Sequence, residues 1–544
     1  MKFSDIYNEW LSKVEKDGEL KKELDSIKND EKAIEDRFFK DLSFGTGGLR
    51  GKIGAGTNRM NVYSVGKATF GLADYILKNN GKSVAIAYDS RNMSKEFARL
   101  VAEIMSFKGI KAYLFDTLMP TPVLSFAVRE LKTDCGVVIT ASHNPKEYNG
   151  YKVYNANGCQ LTDGAAMEVT EEIKKYGYFN DYTANEDLIE TIGEKVLNDF
   201  LDAVLTYSLP QGKEYFPTVV YTPLCGTGNV PIQKLFKRLG LETYTIVPEQ
   251  KEPNGDFTTC PFPNPEEKEA LSLAIALAKE KKYELVLATD PDADRIGIAV
   301  RDADGEYRLF NGNETGVLME NFILSKKSEE NALPERPYVV KTVVTSPLAE
   351  KVAAHYGVKI KNVLTGFKYI GETIDKCKDE NYVFGMEESY GYLVGDHVRD
   401  KDAISAAMII VEMFAYYKKS GKTLISALNG IYEQFGFFNS ALYYKVFEGK
   451  SGMEYMKTFT ETLRKEPWKE IAGEKVTEIK DYAEGIDGLP RSDVLVFGGE
   501  KFTLVVRPSG TEPKLKVYVT AKGGTKAEGE KLTQIILDFI KKRI

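Results

Sequence analysis

No stretch of this 544-residue chain approaches the ~20 consecutive apolar residues that a membrane-spanning helix needs. An integral membrane protein built of helices is therefore not expected. The first twenty residues, MKFSDIYNEWLSKVEKDGEL, are charged throughout and lack the apolar core of a secretory signal, so retention in the cytoplasm is expected. Cysteine is scarce: five residues (Cys135, Cys159, Cys225, Cys260, Cys377), scattered and without C-x-x-C spacing, predict reduced thiols and no zinc site. Three histidines in the whole chain leave little material for a histidine-built metal centre. Net positive charge is also missing. A balance of -7 disfavours nucleic acid as the main partner and leaves small ligands as the expected ones.

Several nucleotide and hydrolase signatures are absent too. The tetrapeptide SGKT (420–423) resembles the end of a phosphate-binding P-loop, but the required earlier glycine position is Tyr416. FGTGGLRG (44–51) misses the dinucleotide-binding spacing because Arg50 occupies the last glycine position. No G-x-S-x-G elbow occurs.

What is present is a repeated alternation. Hydrophobic content of 43% and charged content of 28% describe a soluble globular chain, and its length calls for several domains. After charged, amphipathic N-terminal helices, short β-branched runs alternate with loops and helical stretches: 83–90, 111–117 and 135–142; then 218–228, 242–248 and 283–290; then 338–346, 359–366 and 382–389. This predicts an α/β fold of three related units with mixed, mainly parallel sheets covered by helices. Within the second unit, Asn264 and Pro265 predict a helix over 264–282, capped by Asn264. Residues 208–217 read as a linker. Beyond about 440 the order changes to a strand, two helical stretches, three adjacent strands and a closing helix from Thr525, which predicts a smaller α+β domain.

Four loops that follow strands carry candidate chemistry, at the strand ends where open α/β sheets collect ligands. DPDADR (290–295) sets Asp290, Asp292 and Asp294 within five residues; such crowding calls for a cation, and hard oxygen donors suit Mg²⁺. Arg295 and Arg301 at the glycine and terminal glutamate positions exclude an EF-hand. RPSGTEPKLK (507–516) offers Arg507, Ser509, Thr511 and the amides around Gly510 as a phosphate cradle, although an ordinary hairpin turn has the same composition. GMEESYGY (385–392) presents Glu387, Glu388 and Ser389, a set able to grip sugar hydroxyls or simply to lie in solvent. TASHNP (140–145) places Ser142 beside His143. Neighbouring residues of an extended chain point to opposite sides, so a serine–histidine hydrolase pair is not expected. Next to a metal loop, Ser142 reads instead as a phosphate carrier, with Lys152 and Arg295 as cationic helpers, because phosphoryl transfer depends on positioning and charge more than on nucleophile strength.

Taken together and in this order, the four loops resemble those of the α-D-phosphohexomutases, most closely the phosphoglucomutase branch, over nearly the whole chain from FGTGGLRG onward. The resemblance implies four domains around a central cleft: 1–208 with the phosphoserine loop, 209–306 with the Mg²⁺ loop, 307–435 with the sugar-specificity loop and 436–544 with the phosphate-binding loop. It implies that phosphorylated Ser142 passes its phosphate to O6 or O1 of a glucose phosphate, through glucose 1,6-bisphosphate. Ser142, Asp290, Asp292 and Asp294 would surround the Mg²⁺; His143, Lys152, Lys368 of TGFKYIGE and Arg50 would lie at the reaction centre. Glu387 and Ser389 would hold sugar hydroxyls, and Arg507, Ser509, Gly510 and Thr511 the non-reacting phosphate. The family's usual glycine in the metal loop is Ala293 here, and a serine of the N-terminal motif is Gly47. The Ala-containing loop is similar to that of the branch with phosphopentomutases and glucose 1,6-bisphosphate synthases. Tyr390 and Gly391 after Ser389, where mannose-preferring relatives carry Gly-His, favour glucose. The intact serine and aspartates speak against a catalytically silent sugar-phosphate-binding protein.

Overall fold

Each buried run identified above becomes a short strand, and most strands are followed by a helix whose apolar face covers the sheet. A computed structural model describes residues 2–14, 18–45, 47–447, 449–508 and 514–544. They form two compact units. The first comprises residues 1–310, 367–378 and 390–416, the second 311–366, 379–389 and 417–544.

In the first unit, three helices (Phe3–Lys13, Gly18–Ser26, Glu31–Phe38) bury a small aromatic core of Tyr7, Trp10 and Phe38. A six-stranded sheet follows. Its centre is parallel: Cys135–Ile139, Ser83–Tyr88, Lys111–Phe115 and the added strand Ile189–Ile192. On the other side Tyr148–Asn155 runs antiparallel to Cys135–Ile139, and Gly48–Lys52 pairs antiparallel with it at the edge. This pairing sets Lys152 opposite Val138, one strand away from the run that leads into Ser142. The five-stranded second sheet is also mixed. Val219–Thr222 pairs in parallel with Tyr244–Ile246 and Leu285–Thr289, and two antiparallel strands, Ile296–Arg301 and Tyr307–Phe310, complete it.

One helix starts later than its sequence signals predict. It runs only over Ser272–Lys281, and residues 265–271 form successive turns bonded three residues apart. Asn264 does not cap it: the N-cap is Leu271, without a side-chain cap bond, while Asn264 accepts from the Glu266 amide at 3.2 Å within the turns and Pro265 packs against the strand at Gly297, where even a Cβ would meet its carbonyl at 2.6 Å. Glu266 is held by Arg295 at 2.9 Å. Tertiary contacts thus override a good local start signal.

In the second unit, Pro337–Thr342 lies between Lys359–Val363 and Asn381–Glu387, all parallel. The C-terminal sheet is antiparallel and ordered Phe437–Val446, Lys514–Gly523, Phe502–Pro508, Leu495–Gly498, Glu478–Asp481. Where two helical stretches were expected there is one, Gly449–Lys465, followed by the two-residue strands Glu470–Ile471 and Glu474–Lys475. Thr525 caps the closing helix Lys526–Lys541 by accepting from the Glu528 amide. No helix among the described residues is long and apolar enough to cross a membrane. The five cysteines are free thiols, four of them buried.

The linker is fastened inside the first unit by a buried carboxylate. Ser208 Oγ and the Leu209 amide (2.8 Å) both donate to Glu412, which is 1% exposed. Burial pushes the Glu412 carboxyl up to about 7, against the two donors that pull it down. Because the folded pKa lies above the unfolded one, this group's contribution is fully present below about pH 4.5 and is lost as pH rises through 7. Thermal or denaturant unfolding should therefore show a stability decline of up to about 3 kcal/mol over that window, absent in Glu412→Gln. An identical pH profile for the variant would show that Glu412 does not titrate there.

Candidate active site

The strand Leu285–Thr289 delivers Asp290 into a tight turn. Asp290 Oδ1 accepts from the amides of Asp294 (3.1 Å) and Arg295 (3.0 Å), and the Ala293 amide bonds back to the Asp290 carbonyl at 2.9 Å. The turn needs a left-handed residue, and Ala293 supplies it at φ +49, a conformation glycine adopts without cost. All three aspartates are at most 1% exposed, and one carboxylate oxygen from each lies within 4.8 Å of the others. Asp292 Oδ1 and Asp294 Oδ1 accept no hydrogen bond from any described residue.

Those orphaned oxygens decide the fit to a cation. Hard, clustered, buried carboxylate oxygens without donors fit a hard divalent cation such as Mg²⁺. The cost of crowding falls on Asp290, whose carboxyl is raised well above the ordinary carboxylate range by burial and then by Asp292 and Asp294. Asp292 also suffers burial, but Lys152 and hydrogen bonds from its neighbours outweigh it and hold its pKa low.

Ser142 meets this cluster directly. Its hydroxyl donates to Asp290 Oδ2 at 2.7 Å, across 148 residues of sequence, and the residue is 4% exposed. Against the expectation from extended geometry, His143 Nδ1 lies 3.3 Å from Ser142 Oγ. The reason is the backbone: Ser142 sits at φ +53, which breaks strand alternation and folds both side chains to one side. His143 is held well below its usual pKa by burial and by the charges of Arg295 and Arg50, so it is neutral at pH 7.

Of the cations named from the sequence, Lys152 and Arg295 lie against the trio. Lys152 Nζ is 2.9 Å from Asp292 and 3.5 Å from Asp294; burial alone would lower its pKa, but these charges raise it. Arg295 is 3.8 Å from Asp294 Oδ1 and pairs with Glu266. Arg50, exposed on the edge strand, reaches Asn144 Oδ1 at 3.4 Å. Lys368, 8% exposed, is farther along in its commitments, donating to Asp163 Oδ1 at 2.6 Å.

Sequence reasoning missed four partners. Lys401 Nζ lies 3.2 Å from Asp294, and its neighbour Asp400 accepts from Tyr154 at 2.6 Å. Thr121, at the start of helix Thr121–Glu130, donates both its amide (to the Asp292 carbonyl, 2.9 Å) and its hydroxyl (to Asp292 Oδ2, 2.8 Å). Asp163 anchors Lys368. The pair LysAsp in 401–402 was the one local signal, a charge beside a buried helix start.

In the second unit, Glu387 is 5% exposed and accepts from the Gly366 amide at 3.0 Å; Ser389 is half-buried in the turn that follows. Glu388 turns the other way and accepts from Thr342 (3.1 Å) and Thr345 (3.2 Å). Arg507 ends its strand half-buried and bonds Tyr518, whose hydroxyl pKa is raised by burial and then by Glu388. Ser509, Gly510 and Thr511 lie outside the described residues.

A buried carboxylate trio that could hold a metal ion lies against a serine, with lysines and arginines around it on α/β sheets. Models of the phosphoglucomutase/phosphomannomutase family match the chain in sequence: alpha/beta/alpha domain I over 41–179, domain II over 198–305, domain III over 311–435 and the C-terminal domain over 463–538. A phosphoglucomutase of Staphylococcus haemolyticus is 38% identical, covering 89% of this chain and 91% of its own, and one of Staphylococcus aureus strain MRSA252 is 36% identical over 89% and 90%. Among solved structures, a putative phosphomannomutase of Thermus thermophilus superposes with a TM-score of 0.71 at 22% identity (92% and 99% covered), and the open form of Paramecium parafusin, a phosphoglucomutase, with 0.70 at 18% (92% and 95%), likenesses of fold alone. The chain belongs to the phosphoglucomutase/phosphomannomutase family, and it is an enzyme of the isomerase class that works by phosphotransfer.

If the trio is a cation site, Mg²⁺ at a hundredfold its dissociation constant should stabilise the protein by about 2.7 kcal/mol. In Asp290→Asn that response should vanish while metal-free stability holds or rises, since the substitution removes the most strained charge. Calorimetric unfolding with and without Mg²⁺ measures both; an unchanged Mg²⁺ response in the variant overturns the assignment.

Proposed function

We propose that this enzyme interconverts glucose 1-phosphate and glucose 6-phosphate, with Ser142 as the phosphate carrier and glucose 1,6-bisphosphate as the intermediate. The observation that carries the reading is the 2.7 Å bond from Ser142 Oγ into the buried aspartate trio, which sets the hydroxyl beside the carboxylates that would hold the cation. Asp290, Asp292 and Asp294 would hold Mg²⁺, which when bound offsets phosphoryl charge during transfer.

The residues divide the work. A free sugar hydroxyl forms a bond to phosphorus as the bond to Ser142 Oγ breaks, and the sugar proton leaves with a base. Three groups were candidates for that proton. Lys152 is committed to Asp292 and Asp294, and Lys368 to Asp163; His143 is the one within reach of Ser142 Oγ, at 3.3 Å. Lys152, Lys401, Arg295 and Arg50 supply positive charge around the transfer path. The bisphosphate so formed must reorient and return its other phosphate to Ser142, which leaves that phosphate's former position as the new free hydroxyl.

Glu387 and Ser389 read sugar hydroxyls and Arg507 grips the phosphate that is not reacting. The staphylococcal relatives named phosphoglucomutase support glucose as the sugar. A cytoplasmic enzyme acting on small sugar phosphates is consistent with this role.

Intact mass should show one phosphoryl group on wild type that is lost on incubation with excess glucose 1-phosphate, and Ser142→Ala should lack both the group and turnover at unchanged circular dichroism. Normal turnover by a folded Ser142→Ala protein ends the carrier reading.

The sugar assignment has its own test. Glu387→Ala should lower kcat/KM for glucose 1-phosphate and narrow its advantage over mannose 1-phosphate, because a site built to bond a hydroxyl discriminates through the group left unpaired. Arg507→Ala should weaken glucose, mannose and ribose 1-phosphates alike. Equal losses on all three in Glu387→Ala, or a wild type that prefers ribose 1-phosphate, would shift the reading to a phosphopentomutase.

A further inference from the structure

The serine loop has a second anchor, on the side away from the aspartates. Strand Ser83–Tyr88 ends in Asp89, and two residues later Arg91 is buried with it, both side chains fully enclosed. Arg91 Nε faces Asp89 Oδ2 at 3.3 Å. Its two terminal nitrogens spend four N–H donors on four backbone carbonyls of a single loop: Ser142 and Asn144 from one, Pro145 (2.9 Å) and Tyr148 (3.1 Å) from the other. Four of the five guanidinium donors are thereby bonded to one loop, a fork that lysine cannot reproduce. The Phe257 ring closes over the guanidinium at 5.0 Å.

Asp89 holds both peptide groups of Ser142 through intermediaries. The Ser142 carbonyl is taken by Arg91. The Ser142 amide donates to Thr140 Oγ1 at 2.8 Å, and the Thr140 hydroxyl in turn stabilises the Asp89 carboxylate. Asp89 itself is fixed by the Arg91 amide (2.9 Å) and Ser94 Oγ (2.7 Å). Asn149, at the far end of the loop, ties back to the Asn92 carbonyl (3.0 Å) and Ser94 Oγ (2.9 Å). A serine at φ +53 is held in a conformation it would leave if released, so this clamp has a definite load.

We infer that Arg91 and Asp89 are positioning residues for phosphoryl transfer: the guanidinium fork fixes the 142–148 backbone, and through it the direction in which Ser142 Oγ presents its phosphate. Neither touches the sugar. The inference rests on Ser142 being the carrier, as proposed above. It makes the clamp responsible for rate and leaves substrate affinity to the loops around Glu387 and Arg507.

Arg91→Lys keeps the charge and loses the fork. Its kcat for glucose 1-phosphate should fall on the order of 100-fold, the cost of an ångström-scale misplacement, with KM within about threefold of wild type. Amide hydrogen exchange of peptides covering 140–149, read without substrate, should speed up at least about tenfold while other peptides stay unchanged. Thr140→Val, nearly isosteric and removing the bond to the Ser142 amide together with the hydroxyl's support of Asp89, should show the same pattern to a smaller degree and serves if Arg91→Lys does not fold. A folded variant with wild-type kcat, with wild-type exchange over 140–149, or with a loss carried entirely by KM overturns the inference. If wild type itself never takes up phosphate on Ser142, the carrier reading fails, and the positioning role fails with it; normal phosphorylation with an indifferent Arg91→Lys sinks the clamp alone.

Discussion

Mutual repulsion among Asp290, Asp292 and Asp294 is the constraint around which the first unit is assembled. Moving three carboxylates out of water costs several kcal/mol each, and bringing their oxygens within 4.8 Å adds repulsion that a low-dielectric interior does little to screen. The fold answers with positive charge from separate parts of the chain: Lys152 from an antiparallel strand, Arg295 from the turn itself and Lys401 from a loop more than a hundred residues later. The start of helix Thr121–Glu130 adds one carboxylate donor, the Thr121 hydroxyl, and its positive dipole end. Even so, two carboxylate oxygens have no donor and Asp290 keeps a raised pKa. That residual imbalance is what the cation proposed for this trio would offset.

Backbone strain marks the same places. Ser142, Ala293 and Tyr390, one each in the serine, metal and sugar-specificity loops, adopt left-handed φ values of +53, +49 and +65. None is glycine, and such residues cost of order 1 kcal/mol or more apiece unless their surroundings insist on the geometry. For Ser142 the insistence comes from Arg91 and Thr140. For Ala293 it comes from the Asp290 turn and from the Ala403 amide, which bonds the Ala293 carbonyl at 3.3 Å. For Tyr390 it comes from the Ile296 amide, which bonds the Tyr390 carbonyl at 3.1 Å. A loop that hands over a phosphate must return to one geometry after each transfer, and a strained residue locked by many bonds does so more sharply than a relaxed one held by few.

What the sequence made legible was whatever is encoded locally. The aspartate trio sits within five residues, and the parallel strands are continuous apolar runs, so both could be read directly. The antiparallel strands Gly48–Lys52 and Tyr148–Asn155 were not, because glycine, asparagine and lysine weaken the strand pattern and only pairing makes them strands. Lys401, Thr121 and the Arg91 clamp escaped for a different reason: each acts on a residue 51 to 171 positions away, or farther, and separation of that kind is a property of the topology. The helix expected from Asn264 failed where Pro265 and Glu266 were claimed by the sheet and by Arg295. His143 was misjudged because one positive φ, invisible in the sequence, reverses the alternation on which the argument stood.

The specificity loop of the second unit solves a different problem from the serine loop. A mutase must accept one sugar with its phosphate at either end, so a recognition set with many fixed donors would favour one orientation and stall the other. Carboxylates avoid this, since they accept from whichever hydroxyl pair arrives. Glu388 accepts from Thr342 and Thr345 and ties the loop to strand Pro337–Thr342, while Glu387 accepts from the Gly366 amide. Strand alternation sends Glu388 to the side opposite Glu387 and Ser389. The loop is thus tied to the sheet through Glu388 and to Gly366 through Glu387, and the hydroxyl-reading role proposed for Glu387 and Ser389 falls on the side that alternation turns away from Glu388.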